Sequence, residues 1–161
     1  MAKGGKSLFS VTTVFASFFG AALIAAAFAY FNYKFSEYKF IDFGNWIFYE
    51  KSDIFKPVDD RYIVVLYSSK DKNTQEVISN VNAEYKIIAV DFYQNSFENT
   101  KSTIFLRSGT NTNLQFIQRF NIYHSPSIFI IKKVKDTLYK QDSMIRKLDT
   151  LDQINNKIKE L

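Results

Sequence analysis

The side chains that most often carry catalysis in proteins are scarce in this sequence. It has no cysteine and one histidine, His124. Without cysteine there is no thiolate nucleophile, no disulfide and no cysteine metal ligand, whatever the compartment. One histidine is a poor basis for a structural zinc site, which gathers several Cys or His ligands. We therefore predict no catalytic residues, no metal and no cofactor.

An enzyme remains an alternative of a different class. His124 has the chemistry of an acid–base group, and Asp91 stands at the end of an apolar run. Both residues also have ordinary explanations, an exposed loop histidine and a turn former. Residues 107–111 precede a predicted helix, whose N-terminus is a general type of phosphate site. They lack the spacing of the glycine-rich fingerprints, so they support a phosphate site only weakly.

The length and composition of the chain indicate its number of domains and its charge. The chain has 161 residues, 47% of them hydrophobic, which is room for one domain and one additional segment. Its formal net charge is +5 and its pI is about 9.2. A net charge of this size is compatible with an anionic partner but does not by itself indicate one. We expect no nucleic-acid partner.

The N-terminal part contains a long uncharged span. No charged residue occurs in residues 7–33, about 27 residues, and a bilayer core needs roughly 20. We predict a short tail at residues 1–7 and a transmembrane helix at residues 8–31. Gly20, Ala21 and Ala25 are small enough to let other membrane subunits pack closely on this helix. The predicted partners are therefore the lipid bilayer and other membrane protein subunits.

Flanking lysines predict the orientation of this helix. Lys3 and Lys6 favour an N-terminus inside and a domain on the periplasmic or equivalent side, although Lys34 and Lys39 weaken this prediction. The alternative is a signal peptide cleaved after residues 27–29, which read Ala-Phe-Ala. Signal peptides have shorter apolar regions, so we favour retention of the helix.

The remaining elements follow in a regular order. Residues 32–44 are predicted to form a juxtamembrane aromatic linker, and residues 46–49 the first strand of a domain spanning 45–161. Apolar runs at residues 61–67 and 85–92 flank a short helix with the capping spacing Asn73 and Glu76, which predicts a βαβ unit. An apolar island at Ile104 suggests an extra strand, and Leu114, Ile117 and Phe120 mark a second helical face. A lysine-rich hairpin at residues 132–140 and a last helix after Thr150 complete the chain.

Residues 121–131 organise this pattern. A polar turn reaches Pro126 and continues into the apolar run 128–131, which predicts a strand buried on both faces. Proline cannot donate to a sheet ladder, so Pro126 should stand at the start of this strand. An X-Pro bond in this position is a candidate for the cis isomer.

This turn and the order of elements resemble the thioredoxin-like fold. The resemblance covers residues 45–161 in the order β-α-β-α-(Pro)β-β-α. It implies an α/β domain of three layers with a mixed central sheet. The sequence departs from the family at residues 93–110, an insertion. It also departs where a Cys-x-x-Cys pair would stand, a place occupied here by Ser69, Lys70, Asp71, Lys72, Asn73 and Thr74. Thiol–disulfide exchange is therefore excluded.

The resemblance implies a binding function that does not need the cysteines. In this family the residue before the cis-proline offers its backbone to an extended peptide, which points to Ser125 with its neighbours His124 and Pro126. The favoured function is a membrane-anchored, redox-inactive structural or binding subunit of a larger membrane complex. The alternatives are a secreted or periplasmic peptide-binding protein and an enzyme that uses the 69–74 loop with His124 and Asp91.

Overall fold

A computed structural model describes residues 10–37, 39–95 and 97–161. The chain divides into two units, one ending with helix α1 at Glu37 and the other spanning residues 38–161. The predicted tail at residues 1–7, with its two lysines, lies outside the described residues.

Helix α1, Val11–Glu37, is the apolar element of the first unit. Its stretch Val11–Lys34 has a mean hydropathy of 2.0 and is long and apolar enough to cross a membrane, judged by length and composition. The helix passes the predicted end at residue 31, because no Gly or Pro interrupts residues 32–37. The predicted linker at 32–44 is therefore divided between this helix and a first strand, β1.

The second unit is built around one mixed sheet. Its strands are β1 Phe40–Asp42, β2 Phe48–Glu50, β3 Asp53–Ile54, β4 Arg61–Tyr67, β5 Ile87–Asp91, β6 Thr103–Ser108, β7 Ser127–Lys135, β8 Leu138–Gln141 and β9 Arg146–Lys147. Its helices are α2 Thr74–Ser79, α3 Thr110–Phe120 and α4 Ile154–Ile158, with a 3-10 turn at Leu151–Gln153 before α4. The strand order is β1-β8-β7-β4-β5-β6-β2-β3, and β9 pairs with β7.

Strand directions make the sheet mixed, as predicted. β4, β5 and β6 run parallel, and β7 runs antiparallel to β4 and to β8. The βαβ unit and the extra strand at Ile104 are both confirmed. β8 is not an edge strand, because β1 pairs with it on the side away from β7. The lysine-rich hairpin is thus covered on one side.

Alternation along the central strands produces two cores and three layers. Alternate residues of β4 pack with α3 on one face of the sheet, namely Tyr62, Val64 and Leu66. The residues between them pack with α2 and α4 on the other face, namely Ile63, Val65 and Tyr67. Burying a large apolar side chain contributes roughly 1.5–3 kcal/mol, so a strand buried on both faces anchors the domain.

Two helix predictions need correction. Helix α3 begins at Thr110 after Gly109, and its buried positions are Asn113, Phe116 and Phe120. Leu114, predicted on the buried face, is 48% exposed. The sequence pattern misplaced the face because a polar residue, Asn113, occupies one of its buried positions. Asn73 does precede α2, but it takes a left-handed conformation and makes no capping bond through its side chain.

Candidate functional site

The proline turn, residues 121–126, joins α3 to β7. It begins at Asn121, whose left-handed conformation (φ 59°) ends α3. The Ser125–Pro126 bond is cis, as predicted, and Pro126 is buried immediately before β7. The Ser127 hydroxyl donates to the His124 carbonyl at 2.5 Å, and the Leu148 N–H donates to the Pro126 carbonyl at 3.0 Å. The residues around Ser125 are therefore held by the fold.

Ser125 itself keeps its backbone free. The residue is exposed. In the described part of the chain, neither its N–H nor its C=O has a hydrogen-bond partner. Buried backbone groups are almost always paired, whereas exposed ones are satisfied by water or by a partner. The turn thus contains one unpaired donor and one unpaired acceptor at an exposed residue of the described chain.

Asp91 holds the 69–74 loop in place through a hydrogen bond to its backbone. This residue is fully buried at the end of β5. Its Oδ1 accepts from the Ser69 N–H at 2.9 Å, and its Oδ2 accepts from the Asn95 N–H at 2.7 Å. Hydrogen bonds to an ionised carboxylate are the strong ones, so Asp91 ties two loops to the end of the sheet.

Further contacts connect the same two loops. The Asn95 side-chain amide donates to Ser69 Oγ at 2.6 Å. Lys70 Nζ lies 4.0 Å from the centroid of the Tyr93 ring, a cation–π geometry. Thr74 is buried, and its hydroxyl lies 2.6 Å from the Asp71 carbonyl, which closes the loop on α2. The loop is a folded feature of the site.

A cleft of about 530 Å³ lies between this loop and the proline turn. We call it the turn cleft; its lining residues are Asp71, Lys72, Asn73, Val77, Ser125, Pro126, Asp149, Thr150, Leu151 and Asp152. The structure therefore brings together two groups of residues that the sequence singled out separately, the 69–74 loop and the proline turn. The segment 149–152 was missed, since in sequence it shows only the start of a helix.

The residues of the enzymatic alternative are placed differently. Neither His124 nor Asp91 lines the turn cleft. Asp91 accepts two backbone amides, and His124 is exposed. In the described residues no group of three or more His, Asp or Glu side chains is arranged to hold a metal ion.

Tyr67 is a fully buried residue at the end of β4, next to Asp91 of β5. Its ring contacts Phe97 and Phe105, and its hydroxyl has no partner in the residues that the structure describes. Burial first, and then the nearby charge of Asp91, raise the pKa of Tyr67 above its ordinary value. The phenol therefore stays protonated at neutral pH and does not act as a base.

At the predicted phosphate position, residues 107–111, two donors are already paired with other residues of the protein. The Ser108 N–H donates to Gln94 Oε1 at 2.7 Å, and the Arg107 guanidinium donates to the Lys51 carbonyl at 3.2 Å.

The small residues predicted for helix packing lie on α1. Ala21 and Ala25 are exposed, and a methyl group built on Gly20 would meet nothing within 4 Å. The small residues predicted for packing thus lie at the surface of the helix as described.

Comparison with known proteins gives distant structural likeness and no match in sequence. No family profile matches the chain, and no curated protein matches it. One similar solved structure is the crystal structure of the pneumococcal exposed lipoprotein thioredoxin Etrx1 from Streptococcus pneumoniae strain TIGR4. It shares 12% identity at a TM-score of 0.37, over 63% of this chain and 85% of that one. A likeness this distant does not assign the chain to a family.

Proposed function

We propose that this chain is a membrane-anchored binding subunit whose thioredoxin-like domain is redox-inactive and takes an extended segment of a partner protein in the turn cleft. The observation that carries the proposal is Ser125, an exposed residue that lines the cleft and whose N–H and C=O have no partner in the described part of the chain. An extended segment can pair with such exposed backbone groups through its own backbone.

The element order supports the thioredoxin-like part of the proposal. Along the chain, β4, α2, β5, α3, β7, β8 and α4 follow the order that the resemblance implies, with a cis-proline before β7. The chain departs from that order by β6, which stands between β5 and α3, and by the short β9. The absence of cysteine removes the redox reaction and leaves the binding surface.

The strength of binding requires more than the backbone of Ser125. One hydrogen bond contributes a net of about 0.5–1.5 kcal/mol, so two give about 1–3 kcal/mol. Even a millimolar complex needs about 4 kcal/mol. The apolar surface of Val77, Pro126 and Leu151 in the cleft provides contacts for the remainder.

Helix α1 provides the anchor. Its apolar stretch of 24 residues is about 36 Å long at 1.5 Å per residue, which exceeds a hydrocarbon core of roughly 30 Å. The apolar stretch of 24 residues is longer than the roughly 7–15 residues of a signal peptide's apolar region, so the proposal takes the helix as retained. In this proposal Gly20, Ala21 and Ala25 pack against helices of other subunits.

Cross-linking in native membranes tests the binding site. A photo-reactive amino acid replaces Lys72, which lines the cleft, or Lys135, an exposed lysine at the other end of β7. β7 has nine residues, so Lys135 lies about 26 Å along the strand from the proline-turn end of β7. We expect a discrete adduct from position 72 that is absent from position 135. The same adducts from both positions, or none from position 72, would contradict the proposal.

A further inference from the structure

The turn cleft has a charge opposite to that of the whole protein. Three of its lining residues are aspartates, Asp71, Asp149 and Asp152, and one is a lysine, Lys72. The chain as a whole has a formal net charge of +5. A local excess of carboxylates on a basic protein gives the cleft its own electrostatic preference.

The three aspartates are exposed and have no ion-pair partner within the residues that the structure describes. They come from two separate segments, the 69–74 loop and the segment before α4, so tertiary folding brings their charges to one cleft.

The position of the carboxylates relative to Ser125 defines what they would contact. A segment that pairs with the Ser125 backbone is extended, and its side chains alternate between its two faces. Side chains that enter the cleft meet the apolar surface of Val77 and Leu151 as well as the aspartates. Lysine and arginine fit both, because their aliphatic stems pack on apolar surface while the charged ends remain hydrated.

We infer that the segment bound in the turn cleft is basic, with lysine or arginine side chains directed at Asp71, Asp149 and Asp152. This inference rests on the proposed function and adds the chemistry of its ligand. The partner is thus recognised by backbone pairing at Ser125 and selected by its positive charge. Lys72 has the same charge as the selected side chains and weakens their binding.

Three peptides test the inference with the full-length protein in a non-ionic detergent. They are fluorescent ten-residue peptides in which valine alternates with lysine, with glutamine or with glutamate. Fluorescence anisotropy should show the tightest binding for the lysine peptide and the weakest for the glutamate peptide. The difference between them should shrink when salt is raised from about 0.05 M to about 0.5 M.

Single substitutions then locate the charge effect. Asp71→Asn, Asp149→Asn and Asp152→Asn should each weaken binding of the lysine peptide about two- to fivefold and leave the glutamine peptide unchanged, the range expected for an exposed ion pair. Lys72→Gln should strengthen binding of the lysine peptide. Asp136→Asn is the matched control, an exposed aspartate in the turn between β7 and β8, where a positive φ also suits asparagine.

The outcomes separate this inference from the proposed function. Equal binding of all three peptides, with no effect of the aspartate variants, overturns charge selection and leaves peptide binding in place. Preference for the glutamate peptide also overturns it. An equal loss in Asp136→Asn shows that net charge, not the cleft, selects the peptide. If no peptide binds, both the inference and the proposed function fail.

Discussion

Replacing Asp91 with asparagine tests how the candidate site is held together. The carboxylate is fully buried and accepts the N–H groups of Ser69 and Asn95 at 2.9 and 2.7 Å. Asparagine has nearly the same shape but only one acceptor oxygen. In either orientation of its amide, one of the two backbone N–H groups faces a donor.

The cost follows from these two contacts. One hydrogen bond to a charged acceptor becomes a neutral one, a loss of about 1 kcal/mol, and one donor is left unpaired, a loss of about 1–3 kcal/mol. The folded domain should therefore lose about 2–4 kcal/mol. With an unfolding entropy of about 2.1 cal/mol/K per residue and about 120 residues, each kcal/mol lowers the melting temperature by about 4 °C. The expected shift is about 8–15 °C.

Trp46 makes this measurement possible in the full-length protein. It is the only tryptophan of the chain, and Arg119 lies 5.1 Å from its ring. Its fluorescence in detergent therefore reports unfolding of the domain, by heat or by urea. Asp53→Asn, at an exposed position in β3, is the matched control and should change stability by no more than about 0.5 kcal/mol.

A stable Asp91→Asn variant would refute the reasoning. Burying a carboxylate has its own desolvation cost, and removing the charge recovers that cost. If the variant were as stable as the native protein or more stable, desolvation would outweigh the two hydrogen bonds. Asp91 would then not be what fixes the 69–74 loop.

Three further predictions concern the core, a buried tyrosine and the membrane. Phe116→Ala, at a position in ring contact with Phe48 and Phe120, should cost about 3–5 kcal/mol, and Leu114→Ala less than about 1 kcal/mol; similar costs in urea unfolding would contradict the corrected face of α3. Tyr67→Phe should leave stability unchanged or raise it by up to about 1 kcal/mol, because the removed hydroxyl is unpaired in the described chain. The pKa of Tyr67 is raised in the folded state, so its protonated form contributes stability that is fully present below the unfolded-state pKa of about 10 and is lost as the pH rises above that value. Between neutral and alkaline pH, the free energy of unfolding should therefore fall less in Tyr67→Phe than in the native protein. Protease added to spheroplasts should digest the domain, and full protection there, with digestion in inverted vesicles, would reverse the orientation.

Local patterns in the sequence were sufficient for the elements that are buried along their whole length. The apolar runs of β4, β5 and β7 predicted their strands, and Pro126 predicted the turn before β7. The uncharged span of α1 predicted a helix long enough to cross a membrane. These features depend on the periodicity of neighbouring residues and on the geometry of proline, which a single stretch of sequence contains.

The tertiary structure decided which distant segments meet. β1 pairs with β8 across about 100 residues, β2 pairs with β6, and Asp149 and Asp152 line the same cleft as Asp71. The two shortest of these strands, β1 and β2, have three residues each. Their positions are determined by backbone pairing and by contacts with side chains far away in the chain, and short segments take their structure from such contacts because their own propensity is weak.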